Sequence, residues 1–249
     1  VTQFLASLYP EELQRKLHVV HDGIEQPAAI RRRVSYWRAT STQPVHAVLV
    51  TSATLGELPV MGSPPPWLKV TVVGRYPTTT RAIPRLRDAQ WRLRHAGSFG
   101  AAWRMGCYML HPRIRCVAWH PQGVYEWLAQ ADIGIIPIDR DATAGGDPAF
   151  GHAPAWKVKS ENRLTLKMSM ALPVVATPIP AYESVVKQGE NGFLADSAAQ
   201  WRDCLELLRD PATRQRIGDA ARQSVSERFS MASQAQALAK VFQSLSVGC

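Results

Sequence analysis

From Trp67 onward the apolar positions fall into short solid runs separated by stretches of helical period, and this alternation is the strongest signal in the chain. Leu68 to Val73 reads as a buried strand ending at Gly74-Arg75, and a basic helical stretch follows. Next come a strand from Ile114 to Trp119, a helix from Val124 to Ala131 and a strand from Ile133 to Ile138. Asp139 to Pro154, rich in Gly, Asp, Ala and Pro, reads as a surface loop of the substrate-contacting kind. The order then repeats, with a helix from about Ser160 to Ala171, a strand from Pro173 to Ala176, a helix from Tyr182 to Gln188 and a short strand from Phe193 to Ala195. Helices from Ala198 to Arg209, Pro211 to Phe229 and Ser233 to Leu245 close the chain, the second opened by Pro in its first turn. Strands alternating with helices predict a doubly wound parallel α/β sheet, because each crossover must return the chain to the same end of the sheet.

Before Gly62 the pattern is weaker. His18 to Val20 is a strand candidate running into the turn signal His21-Asp22-Gly23, and His46 to Val50 is rich in β-formers. Arg31 to Arg33 reads as a loop or helix start. Ser63-Pro64-Pro65-Pro66 must be loop, since each Pro fixes φ and lacks an amide donor.

At 249 residues, with 46% hydrophobic and 20% charged, the chain can bury one large core or two small ones. No apolar run reaches the roughly 20 residues needed to span a bilayer, and Val1 to Pro10 lacks the pattern of a secretory signal. The first residue is Val, which suggests a segment of a longer chain. Cys107, Cys116, Cys204 and Cys249 are scattered without a CxxC pair, so neither a zinc site nor a disulfide framework is indicated, and a reducing cytoplasm is the simplest setting. The net charge of +9 is concentrated between Arg75 and Arg115, where Arg81, Arg85, Arg87, Arg92, Arg94, Arg104 and Arg113 also fall and Asp88 is the acidic exception. One reading is a solvated helix with Ile83, Leu86 and Leu93 facing inward. The other is peripheral attachment to anionic lipid at the inner membrane face, with Trp91 and Trp103 at the interface. Nucleic acid ranks last, because no binding motif accompanies the charge.

Five pieces occur in order between Trp119 and Phe229: Ala131-Asp132-Ile133-Gly134-Ile135-Ile136-Pro137; Lys159-Ser160-Glu161-Asn162-Arg163-Leu164; Leu172-Pro173-Val174-Val175-Ala176-Thr177; Gly189-Glu190-Asn191-Gly192-Phe193-Leu194-Ala195; and a helix carrying Ala221-Arg222 before Phe229-Ser230. Together they resemble the donor-binding C-terminal half of a GT-B fold glycosyltransferase, of the large retaining family that includes sucrose synthases and bacterial cell-surface glycosyltransferases. His21-Asp22-Gly23-Ile24-Glu25 resembles the segment by which that family enters its C-terminal domain. The resemblance implies a Rossmann-like domain over 21–230, a remnant or interdomain segment over 1–20 and a C-terminal helix over 231–249. It also implies transfer of a sugar, with retention, from a nucleoside diphosphate to a glycan or lipid-linked acceptor in polysaccharide biosynthesis.

In such a sheet ligands bind beyond the carboxyl ends of the strands, so Gly74, Arg75, His120 and Thr177 should share one rim. The helix starting near Ser160 would offer free amides and the positive end of its dipole to a diphosphate. Lys159, Ser160, Asn162 and Arg163 add donors there, Arg163 as a bidentate fork and Lys159 as a compact charge. Ser160 and Asn162 are equally good helix caps, and Arg163 could simply face solvent. His120 either contacts the base or sugar or is incidental beside Pro121.

Family members carry two glutamates separated by seven residues, but those positions fall on Val158 and Leu166. Glu161 could take their place only with the helix start rebuilt. The diphosphate-gripping Arg and Lys-Gly of the family have no counterpart in Thr51 to Val60. Asp139 and Asp141 would make a poor metal site, so metal independence is expected. Only 20 residues precede His21, where the family has an acceptor-binding domain. The alternative is therefore a non-catalytic nucleotide-sugar-binding module, or a subunit completed by a partner chain.

Overall fold

The structure is a computed structural model that describes residues 3–24, 35–51, 60–74, 76, 94, 98–140 and 153–246. Two short helices, α1 (Gln3–Ser7) and α2 (Glu11–Gln14), precede a sheet of six strands: β1 (Val45–Val50), β2 (Leu68–Gly74), β3 (Ile114–Ala118), β4 (Ile133–Ile136), β5 (Val174–Ala176) and β6 (Phe193–Leu194). Every pairing is parallel, and the spatial order is β3-β2-β1-β4-β5-β6. The order reverses between β1 and β4, which is where a doubly wound sheet opens its ligand crevice. The helices around it are α3 (Phe99–Met109), α4 (Gly123–Ala129), α5 (Asn162–Ser169), α6 (Pro180–Glu183), α7 (Ala198–Leu207), α8 (Pro211–Ser226) and α9 (Met231–Ser246).

Strand side chains alternate between two cores, as a period of two requires. Ala47, Leu49, Val70, Val72, Ile133 and Ile135 join Trp201, Leu205 and Ile217 of α7 and α8 on one face. On the other, Val48 and Val73 meet Val124 and Leu128 of α4. Farther along that face Ile136, Val174 and Ala176 meet Leu164 and Met168 of α5 and Val225 and Phe229 around the end of α8. Sheet edges aside, both faces are covered, which is why the strands read as solid apolar runs.

Local chemistry sets the element ends. Ser197 and Gln200 form a reciprocal capping box at α7, and Asp210 accepts from the Thr213 amide at α8, whose first residue is Pro211. Ala171 follows α5 with φ of 56°, a left-handed conformation that costs a non-glycine residue about 1–2 kcal/mol. In the Gly189-Glu190-Asn191-Gly192 piece, Gly189 sits at φ of 74° and buried Asn191 accepts from the Lys187 amide and donates to the Val185 carbonyl. That motif residue therefore braces the corner before β6.

Several expectations are corrected. His18 to Val20 forms no strand; the segment runs on to Ile24, whose amide donates to the Phe229 carbonyl. The predicted Tyr182–Gln188 helix is the single turn α6, because Val185 and Val186 turn inward to the core and Asn191 takes the Lys187 amide. Helix α5 begins at Asn162, two residues later than predicted from Ser160. Arg31 to Arg33, most of Thr51 to Val60, the helix through Ile83, Leu86 and Leu93 with Trp91, and most of the Asp139 to Pro154 loop lie outside the described residues.

Candidate donor site

The carboxyl ends of the strands form one rim, as parallel pairing demands. Gly74 ends β2 packed so closely that a Cβ there would lie 2.9 Å from the Thr51 carbonyl oxygen, so its lack of a side chain lets β1 and β2 end side by side. Thr177, buried beyond β5, accepts the Ile138 amide on its hydroxyl at 2.9 Å and donates its own amide to Ile136, locking the ends of β4 and β5 together. Trp119 and His120 extend from β3 as exposed residues, and the His120 carbonyl starts α4 by accepting from Val124. Arg75 lies outside the described residues.

Helix α5 brings the sequence-predicted cluster together at its amino end. Glu161 occupies the N-cap position without a side-chain cap bond, so neither Ser160 nor Asn162 caps the helix. Its carbonyl accepts the Leu164 and Thr165 amides. The amides of Asn162 and Arg163 belong to the first turn of the helix, the end that carries the positive pole of its dipole. Lys159, Ser160 and Arg163 are partly buried beside them, and Asn162 is exposed.

Glu161 is only 3% exposed, and its Oε1 lies 2.5 Å from His21 Nδ1. The His21 amide donates to Gln234 of α9 and its ring meets Phe229 edge-on at 5.2 Å. Next to it, Gly23 lies so close to α9 that an added Cβ would stand 3.1 Å from Met231 Cα. The entry segment 21–24 is thus clamped between the start of α5 and the α8–α9 corner. The Glu161 carboxylate faces this clamp.

Sequence reasoning missed Lys167. It is 1% exposed on the core side of α5, and its Nζ donates to the Arg163 carbonyl at 3.3 Å. Burial, with the nearby Arg163 charge adding to it, pushes its pKa down to about 7. Gly134 of β4 makes room for its stem, since a Cβ there would fall 2.8 Å from Lys167 Cδ. The signal was present: Leu164, Lys167, Met168 and Ala171 share one helical stripe, with a lysine in a core slot. Leu166, by contrast, is partly buried and packs between two apolar clusters, and Val158 lies in the turn before α5. Neither position offers a carboxylate. Among the described residues no three His, Cys, Asp or Glu side chains come together to hold a metal ion, and no helix is long and apolar enough to cross a membrane.

A six-stranded parallel sheet in this order, flanked by helices, defines a Rossmann-like domain of the type found in the C-terminal half of GT-B glycosyltransferases. Residues 69–210, more than half of the chain, match the family described as Glycosyl transferases group 1, and the chain belongs to that family. Solved structures share the fold at low sequence identity. The Anabaena protein HepE, in complex with UDP and glucose, is 16% identical with a TM-score of 0.54, over 82% of this chain and 49% of its own. Sucrose-phosphate synthase from Thermosynechococcus elongatus is 14% identical with a TM-score of 0.60, over 96% and 57%. TarM from S. aureus, a variant of which was solved with fondaparinux, alpha-GlcNAc-glycerol and UDP, is 12% identical with a TM-score of 0.54, over 93% and 41%. The chain thus spans about half the length of these structures. A search of curated proteins finds no match.

Proposed function

We propose that this domain binds a nucleoside-diphosphate sugar across the rim and contributes to sugar transfer, with retention, onto a glycan or lipid-linked acceptor. The carrying observation is the start of α5, where Lys159 and Arg163 flank the first turn of a helix that follows β4, with the lysine at 167 buried one turn below. In this reading Lys159 and Arg163 neutralise the diphosphate as it departs, the electrostatic task that a metal performs elsewhere, so binding needs no metal. Support comes from family membership and from neighbours solved with UDP or UDP-glucose. The acceptor side is then supplied by another domain or a partner chain.

A second reading, a nucleotide-sugar-binding module without catalysis, is favoured by Val158 and Leu166 at the positions of the two family glutamates. Peripheral attachment to anionic lipid is supported by α3 and the turn after it, which expose Phe99, Trp103 and Leu110 within the arginine-rich stretch.

Calorimetry with UDP against uridine tests the anion site. UDP is expected to bind more tightly, with EDTA without effect, and at about 100 times its Kd to stabilise the domain by about 2.7 kcal/mol. Equal affinity for the two would refute the phosphate site. Sugar release from UDP-sugars by the chain with and without an acceptor domain then separates the two readings.

A further inference from the structure

A cavity of about 670 Å³ opens at the amino ends of β1, β2 and β3, on the face that α4 covers only in part. It starts at Lys69, whereas the donor rim starts at Gly74, roughly 16 Å farther along β2 at about 3.3 Å per residue. Its volume is in the range of small-molecule sites, and it is not the donor site.

The lining is chemically one-sided. His46 pairs with Lys69 across β1 and β2, and Thr71 pairs with Arg115 across β2 and β3. Two residues back, Lys69 stands opposite Arg113, the residue just before β3, whose carbonyl accepts the Val70 amide at 2.8 Å. His46, Lys69 and Arg113 therefore form a row across three strands on one face, with Arg115 on the next rung. Among the described residues no acidic side chain lines the cavity. Among the described residues, Lys69, Arg113 and Arg115 make no ion pair. The neighbouring Asp132 is buried and accepts the Ser35 and His46 amides on its two carboxylate oxygens.

Like charges directly opposite one another destabilise a sheet, so the Lys69–Arg113 pair has a cost that a bound counter-anion would remove. The arginines are also pre-set: Arg113 Nε donates to the Pro66 carbonyl, and the Arg115 guanidinium lies 5.0 Å from the centre of the Trp127 ring. Trp127 and half-exposed Trp37 supply the aromatic walls. Burial lowers the pKa of His46, Lys69 lowers it further and Asp132 opposes both, which favours a neutral imidazole that can hydrogen-bond a sugar hydroxyl.

We propose that this groove is an exosite for an acidic saccharide segment, its carboxylate or phosphate groups on Lys69, Arg113 and Arg115 and its rings against Trp37 and Trp127. The choice of a saccharide rests on the sugar-transfer reading above; the choice of an anion does not. A flat bilayer fits a recessed groove poorly, which is why a discrete chain is preferred.

The test is calorimetry of the whole chain with an oligogalacturonate, using tripolyphosphate as the charge-only probe, a neutral malto-oligosaccharide as the sugar-only probe and UDP in parallel. Oligogalacturonate is expected to bind, to lose affinity as salt rises past about 0.1 M, and to bind at least about tenfold more weakly to the Lys69→Gln/Arg115→Gln variant while UDP binding is unchanged. Trp37→Ala is a second variant that should weaken oligogalacturonate more than tripolyphosphate, and it serves if the double variant does not fold. Absence of oligogalacturonate binding, or binding indifferent to both variants, would overturn the proposal. So would phosphatidylglycerol vesicles losing affinity for the double variant while neither soluble anion binds. Failure of UDP binding alone would strike the donor-site reading and leave the groove intact.

Discussion

Replacing Lys167 with methionine tests whether a charge is stored beneath the candidate site at the expense of stability. Methionine has nearly the same length and packs easily, so the change removes the ammonium with little cavity. In the unfolded chain Lys167 holds its proton to about pH 10.5, whereas in the folded protein burial lets it go near pH 7. Between those values the unfolded state binds more protons, so stability rises with pH by about 1.4 kcal/mol per unit from this group alone. Working from the two pKa values, the penalty for this lysine is roughly 4 kcal/mol at pH 7 and about 1.4 kcal/mol at pH 9.5. The bond to the Arg163 carbonyl at 3.3 Å offsets about 1 kcal/mol of this. Lys167→Met is therefore expected to be more stable than the parent by about 3 kcal/mol at pH 7, and nearly equal to it near pH 9.5. Urea denaturation of both proteins across this range measures the difference directly, and other titrating groups cancel between them. Parallel pH profiles, or a variant less stable at pH 7, would refute the picture of a desolvated ammonium. Such a result would mean that Lys167 finds an anionic partner in the folded protein.

Two further substitutions separate site from scaffold. Arg163→Ala is expected to weaken UDP binding by about 1.5–3 kcal/mol with an unchanged Tm, read by calorimetry and thermal shift, because a charged hydrogen-bonding group is removed from the helix start. Leu166→Ala should instead cost about 2 kcal/mol of stability, since it packs between two clusters, and leave UDP affinity alone; the reverse pattern would mean that the mapping across α5 is out of register. Ala171→Gly is expected to stabilise the fold by about 1 kcal/mol in urea, because φ of 56° strains alanine and suits glycine; a loss of stability would refute the strain.

Read alone, the chain already determined the alternation of strand and helix after Trp67 and hence a doubly wound parallel sheet. Those elements are declared by local periodicity and by Pro, Ser and Asp at helix starts, and the central strands are buried on most of both faces, so their signal is little diluted. The placing of Lys159 and Arg163 at the start of α5 was legible for the same reason: a helix start is built from residues adjacent in sequence.

What tertiary structure decided are the relations between distant segments. His18 to Val20 has strand composition but no neighbour to pair with, because the segment that follows it is pinned by Phe229 and Gln234. Glu161, readable as a spare carboxylate for a sugar, faces His21, a residue 140 positions away. Lys167 loses contact with water only because the fold places Gly134 against its stem. The basic row of His46, Lys69 and Arg113 came from three separate strands, and parallel register alone set it abreast. Sequence period fixes which face a residue takes within its own element; only packing decides what that face meets, and with it the burial and charge on which binding depends.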